Sequence, residues 1–240
     1  KVILTGQTFF QLTLDKQKLL CFGHNNLSLS DTIGNLLWYH MLDDSVFISY
    51  HIKDVVEISS SFYFTGIRES PNGYSGFVWK YDIGGSLIWS KSYSQSELIN
   101  SVVANSGNSI LVAGRKNYYL YIAKLDLGGN VIWERSYVQD SLVAAFSIAA
   151  AGANKFVLAT GGYESGSKCV VIDSSGNLII NKNHTYGKLD NVLYKHVIAD
   201  NDSGFVFTGY IEFNDSGPVD WLVVKTDKFG NTTPIGIEPI

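Results

Sequence analysis

Apolar residues along this chain come in short runs, each interrupted by Gly, Asn, Asp or Ser, and many alternate with polar residues. Alternation with a period of two marks a half-buried β-strand, whereas an amphipathic helix repeats every 3.6 residues. The pattern is clearest at residues 118–125, where Tyr119, Tyr121 and Ala123 alternate with Leu120, Ile122 and Lys124. No stretch combines a helical period with caps. Residues 141–153 are the most helix-like by composition, with Ala144, Ala145, Ala149 and Ala150, yet they fall where the pattern calls for a strand. Small side chains suit the crowded centre of a radial assembly, and tertiary context overrides local propensity readily.

Two markers repeat through the pattern. The first is an apolar run ending in Gly, at Gly23, Gly66, Gly114, Gly161 and Gly209, with successive spacings of 43, 48, 47 and 48 residues. The second reads Asp-x-x-Gly-(Asn/Ser)-apolar-apolar-Trp, from Asp31 to Trp38, Asp82 to Trp89 and Asp126 to Trp133. Decayed copies follow at Asp173 to Ile180 and Asp227 to Pro234. The order of the two markers holds through five cycles. In the third, strands are predicted at 100–104 (A), 110–113 (B), 118–125 (C) and 131–137 (D). The segment Asp126-Leu-Gly-Gly-Asn130 forms the C–D turn, because Asp accepts from turn N–H groups and Gly takes positive φ without steric cost.

Four-stranded units of this length in series predict an all-β fold, a five-bladed β-propeller of four-stranded antiparallel blades. The blades cover approximately 7–42, 46–94, 99–138, 142–187 and 191–240 of a single domain, with Trp38, Trp89 and Trp133 filling the gaps between them. Residues 2–6 form an extra strand, expected to pair in the fifth blade and close the ring. The last D strand is the weakest, since Pro234 removes a ladder donor.

At the turn motif the chain resembles the repeats of secreted and cell-surface propeller proteins of bacteria and archaea, which read roughly D-x-W-x-x-K-x-D-x-x-G-N-x-x-W. The best match runs from Asp220-Trp221 through Lys225 and Asp227 to Gly230-Asn231, with Pro234 in place of the last Trp; Lys80-Tyr-Asp82 and Lys124-Leu-Asp126 match the same segment. It is more distantly similar to quinoprotein-type propellers, which carry one further residue between Asp and Gly. Both resemblances imply fold and neither implies chemistry.

Composition narrows the partners. Of 240 residues only 17% are charged and the net charge is −4, with no basic run, so nucleic acid is not an expected partner. No apolar run is long enough to span a membrane. Five Asn-x-Ser/Thr triplets, at Asn26, Asn183, Asn201, Asn214 and Asn231, mark candidate glycosylation sites and favour a secreted or cell-surface location. Cys21 and Cys169 fall in the first and fourth repeats and are expected to be buried and unpaired.

Function is expected where loops vary. The A–B and C–D turns share one face and are stereotyped; the B–C and D–A connections share the other and differ in length and content. On that face Tyr74, Arg115, Tyr163 and Tyr210 are the candidate ligand-binding residues, Tyr and Arg being enriched at binding hot spots. A carbohydrate or protein ligand fits such a rim. No catalytic, metal-binding or cofactor-binding motif is recognisable. The five histidines, His24, His40, His51, His184 and His196, stand at no ligand spacing, and serines lack an identifiable base. The leading expectation is therefore a non-enzymatic binding or structural module. The alternative is a glycoside hydrolase drawing paired carboxylates from Asp43, Asp44, Asp54, Glu57, Asp140 and Asp190; a third is a piece of a longer propeller.

Overall fold

The computed structural model describes residues 8–12, 16–42, 49–94, 97–105, 108–141, 144–162, 166–184, 190–213 and 219–232. These form five antiparallel sheets and no helix. The first sheet holds β1 (Thr8–Leu12), β2 (Lys18–Gly23), β3 (Asn26–Asp31) and β4 (Leu36–Met41). The second holds β5 (Ser49–Ile58), β6 (Ser61–Ser70), β7 (Gly73–Asp82) and β8 (Leu87–Ser92). In the third are β9 (Glu97–Asn105), β10 (Ser109–Lys116), β11 (Tyr119–Asp126) and β12 (Val131–Ser141). The fourth contains β13 (Ala144–Ala150), β14 (Lys155–Gly162), β15 (Gly166–Asp173) and β16 (Leu178–His184), and the fifth β17 (Asp190–Ala199), β18 (Phe205–Phe213) and β19 (Val219–Thr226). Each sheet is a meander, paired in chain order. The alanine-rich segment is strand, as its place in the repeat demands. The fourth strand expected of the last sheet and the strand expected at 2–6 both fall outside the described residues.

Four hydrophobic cores lie between consecutive sheets. Leu20, Phe22, Leu27 and Leu29 of the first sheet pack with Ile52, Phe62 and Phe64 of the second. Tyr63 and Val78 meet Ile99, Val112 and Tyr121. Leu111 and Ile122 meet Phe156, Leu158 and Val170. Val157, Cys169 and Val171 meet Tyr194, Phe207 and Val224. Every inner sheet thus buries both faces, which is why its strands read as continuous apolar runs. Cys21 and Cys169 are buried free thiols, and burial pushes the Cys169 thiol up to about 12.

The turn motif and the tryptophan belong to one inter-sheet joint. In every sheet the turn Asp carbonyl accepts from the Gly N–H three residues on, at 3.0–3.1 Å. Its Oδ1 accepts from the N–H of the fifth turn residue: Asn35, Ser86, Asn130, Asn177 or Asn231. The Asn130 side-chain amide and the turn N–H groups hold the Asp126 carboxyl below its ordinary value. The turn glycines sit at φ +73 to +92, where other residues are strained. From the second sheet onward, each turn receives the outer strand of the preceding sheet. Trp38 lies against Gly85 and donates to the Ile83 carbonyl at 3.1 Å; Trp89 lies against Gly129 and donates to Leu127 at 3.0 Å; Trp133 lies against Gly176. Ile180 takes the tryptophan's place against Gly230. The same joint explains two histidines, since the ring Nε2 of His40 donates to Gly85 O at 2.7 Å and that of His184 to Gly230 O at 2.9 Å.

The strands outrun their predicted ends. Strands A, B and D of the third sheet cover 97–105, 109–116 and 131–141, longer than 100–104, 110–113 and 131–137. Tyr74, Arg115 and Tyr210 consequently stand near strand ends rather than in loops. Hydrogen-bonded ladders continue past the apolar core because polar side chains at their ends remain solvated.

Candidate functional site

The repeated glycine of strand B has a specific task. Opposite it, the innermost strand carries a β-bulge in four sheets. Register slips between Ile52 and Asp54, Ile99 and Ser101, Ala145 and Ser147, and Tyr194 and His196. The extra residues are Lys53, Asn100, Phe146 and Lys195. A Cβ on Gly66 would land on the His51 carbonyl, on Gly114 on that of Leu98, and on Gly209 on that of Leu193. Glycine lets the bulged strand fold down onto its neighbour and aims the extra residue inward.

After the first three bulges the next residue ties one sheet to the following one. The Asp54 carboxylate accepts from the Ser101 hydroxyl and from Val102 N–H at 3.0 Å. The Ser101 hydroxyl oxygen accepts from Ile148 N–H at 3.1 Å, and that of Ser147 from Val197 N–H at 3.4 Å. Burial pushes the Asp54 carboxyl up against these hydrogen bonds, which pull it down. Asp54 is therefore a structural clasp. Glu57 lies four residues from the bulged Lys53, toward the A–B hairpin and away from the loop-rich end. The side chains of Asp43, Asp44, Asp140 and Asp190 lie outside the described residues.

The four bulged residues line one cavity of about 410 Å³. Arg115 from β10 and His196 from β17 join them, while Ile67, Leu98 and Ala144 supply apolar wall. Four sheets contribute, chiefly through their innermost strands, and Ile67 and Arg115 from the far ends of strands B place it toward the loop-rich face. Lys195 Nζ stands over the Phe146 ring at 3.8 Å and the Tyr210 ring at 5.4 Å; the Arg115 guanidinium stands over Tyr118 at 5.3 Å. Lys53 is exposed along its length, and the partial burial of its end holds the ammonium below its ordinary range. Lys195 is lowered by burial first and by the Lys53 charge second.

Of the four predicted rim residues, Arg115 lines the cavity and Tyr210 backs it through Lys195. Tyr163 lies outside the described residues. Tyr74 is exposed and belongs to a separate hydrogen-bonded chain: its hydroxyl donates to Glu69 Oε1 at 3.3 Å, and Glu69 Oε2 accepts from the Ser49 hydroxyl at 3.1 Å. Ser49 in turn lies 3.2 Å from His51 Nε2, whose Nδ1 is 3.3 Å from that of His24. The serine meets an imidazole two residues along its own strand, on the same face of β5, and an isolated bridge between His24 and His51 sets the second imidazole beside it. The carboxylate bonds to the serine and not to the histidine, so the order of a nucleophilic triad is absent. Burial, then His24 and Lys53, lower the His51 pKa against Glu69. Among the described residues no three His, Cys, Asp or Glu side chains converge to hold a metal.

The acceptor asparagines differ in access. Asn26 is 8% exposed and donates its amide to the His24 carbonyl at 2.8 Å. Asn183, Asn201 and Asn231 are exposed, although the Asn231 amide is engaged with Asp227 in its turn; Asn214 lies outside the described residues.

What sequence reasoning missed are Lys53, Asn100, Phe146 and Lys195. Their signal was the glycine spacing itself, read as a strand marker rather than as the partner of a bulge.

No family model and no curated protein matches the chain. Solved structures do. A Bacteroides caccae protein of unknown function aligns with TM-score 0.56 at 10% identity, over 90% of this chain and 92% of that one. A GH43 β-1,3-galactosidase aligns with TM-score 0.56 at 14% identity, over 90% of this chain and 55% of that one. Raptor from Chaetomium thermophilum aligns with TM-score 0.57 at 13% identity, over 93% of this chain and 23% of that one. At such identities the likeness is one of fold alone, and the chain has an all-β, propeller-like architecture of five antiparallel sheets.

Proposed function

We propose that this chain is a non-enzymatic binding module of a secreted or cell-surface protein, taking a carbohydrate or protein ligand at the loop-rich end of its central cavity. One observation carries the reading. Four register-equivalent bulges put Lys53, Asn100, Phe146 and Lys195 on a single cavity, so the backbone repeats while the chemistry it presents does not. A rigid frame offering varied side chains at one place is how binding surfaces are built. The low charge, the resemblance to secreted repeats and the exposed Asn183 and Asn201 support the location.

The hydrolase reading keeps a single support, the fold likeness to the GH43 galactosidase. It requires two carboxylates about 5 to 10 Å apart, and these would have to come from Asp43, Asp44, Asp140 and Asp190. A glycan array run with a glycosidase screen separates the two readings. Binding without turnover, weakened by Tyr210→Ala and Arg115→Ala at unchanged melting temperature, is the expected outcome. Hydrolysis abolished by Asp140→Asn or Asp190→Asn would establish the enzyme instead.

The finer fold belongs to the same proposal: a closed five-bladed propeller, with residues 2–6 completing the fifth blade. Two open surfaces support closure. On β19, Val219, Trp221 and Val223 are exposed, Trp221 to 94%, where Leu120 and Ile122 of the third sheet are buried against the fourth. On the first sheet Ile33 is 84% exposed, and no described atom lies within 4 Å of a Cβ on Gly34, the seat that the preceding sheet fills at Gly85, Gly129, Gly176 and Gly230.

A further inference from the structure

The charged side chains among the described lining of the central cavity carry one sign. Lys53, Lys195 and Arg115 converge on it beside His196, and none of the described lining residues is an acid. Asp54, whose charge bears on His196, is turned into the seam between the second and third sheets, where Ser101 and two backbone N–H groups hold it. The ion pairs among the described residues engage Lys116 and Lys225 and leave these cations aside. Lys195 rests on Phe146 and Arg115 on Tyr118, contacts that orient a cation and bring no opposite charge to it.

Like charges gathered in a concave, partly desolvated place repel each other and weaken the fold. Burial holds both lysine ammonium groups below their ordinary pKa, and the Lys53 charge adds a smaller push on Lys195. An arrangement that costs stability without a partner marks a place where a partner is bound. Arg115 offers a planar fork suited to two oxygens, Lys53 and Lys195 offer compact donors, and Asn100, whose amide nitrogen donates one proton to the Ala145 carbonyl at 2.8 Å, has a second to give. The cavity volume, about 410 Å³, suits one or two sugar rings, and Phe146 gives an apolar face.

We infer that the cavity binds an oxyanion, carboxylate or sulfate, carried by an acidic sugar, with Lys53, Lys195 and Arg115 around the anionic group. The inference rests on the reading of the chain as a binding module. It sharpens that reading to acidic rather than neutral ligands.

The test is isothermal titration of the full chain with oligouronates, sulfated oligosaccharides, the matching neutral oligosaccharides, and sodium sulfate alone. At least one acidic sugar should bind about tenfold or more tighter than its neutral parent, with affinity falling as salt is raised. The double variant Lys53→Met/Lys195→Met should lose about tenfold or more of that affinity. Its melting temperature without ligand should rise, because two like charges on one cavity are removed while most of each alkyl stem remains; a merely structural role for the lysines would lower it. Equal binding of acidic and neutral sugars would overturn the charge inference and leave the binding module standing. Sulfate alone binding as tightly as the sugars would overturn the sugar, and unchanged affinity in the double variant would overturn the site. Binding to none of the four by the folded chain would overturn the inference together with the carbohydrate reading, and a protein ligand found by other means would then preserve the module without it.

Discussion

Gly114 shows how much a single missing Cβ decides. It is recognisable in the sequence only as the end of an apolar run, yet a methyl there would occupy the carbonyl of Leu98. The bulge at Asn100 exists because that space is empty. Gly114→Ala must push β9 away from β10 and disturb both the cavity wall and the Ser101 clasp. Urea unfolding should show a loss of about 2 to 4 kcal/mol, the range of overpacking joined to a broken hydrogen-bond network. A control at Asn130→Ala, in an exposed turn, should cost about 1 kcal/mol or less and leave ligand affinity unchanged. Similar losses at the two positions would show that the close approach at Gly114 is easily relieved, against the account of the bulge given above.

At the scale of elements, the outer strand of one sheet and the C–D turn of the next form a single unit, although 38 or more residues separate the partners along the chain. Trp89 donates its indole N–H to Leu127 and covers Gly129. Its removal takes away a hydrogen bond and opens the seam between the second and third sheets. Trp89→Ala should therefore destabilise by about 2 to 4 kcal/mol, near the lower end of the range for large-to-small changes because the ring is only half buried. Hydrogen exchange should rise first in β8 and in the turn after β11. If protection falls evenly through all five sheets, the joint is not the local unit described. The decay of the motif in the last two repeats has a counterpart here, since Ile180 fills the fourth joint and fewer apolar atoms cover Gly230.

At the scale of the molecule, stability depends on whether the ring closes. Four inter-sheet cores run from the first sheet to the fifth, and three clasps from the second to the fifth. A fifth core would bring Trp221 and Val223 against the first sheet. Under closure, Trp221→Ala should lower the melting temperature by about 4 °C or more, as expected for a loss of a few kcal/mol in a domain of this size. Deleting residues 1–6 should act in the same direction. An unchanged melting temperature in both variants, read by calorimetry, would show that the exposed face of the fifth sheet stays free of the first.

The sequence alone determined the all-β class, the five cycles, the stereotyped turns and the tryptophan seams. Those features are local or strictly periodic, and period-two alternation, turn residues and evenly spaced glycines report them directly. It also placed Arg115 and Tyr210 at the end that carries the cavity. It could not identify Lys53, Asn100, Phe146 and Lys195 as neighbours, because a bulge is set by how two strands register and leaves no mark of its own in the residue that bulges. Nor could it show that His24 meets His51, or that Asp54 is a clasp rather than a candidate acid, since both follow from which strands adjacent sheets bring together. Tertiary structure decided the chemistry of the site: residues 46 to 49 positions apart gather in one cavity only because each sheet repeats the same inward step.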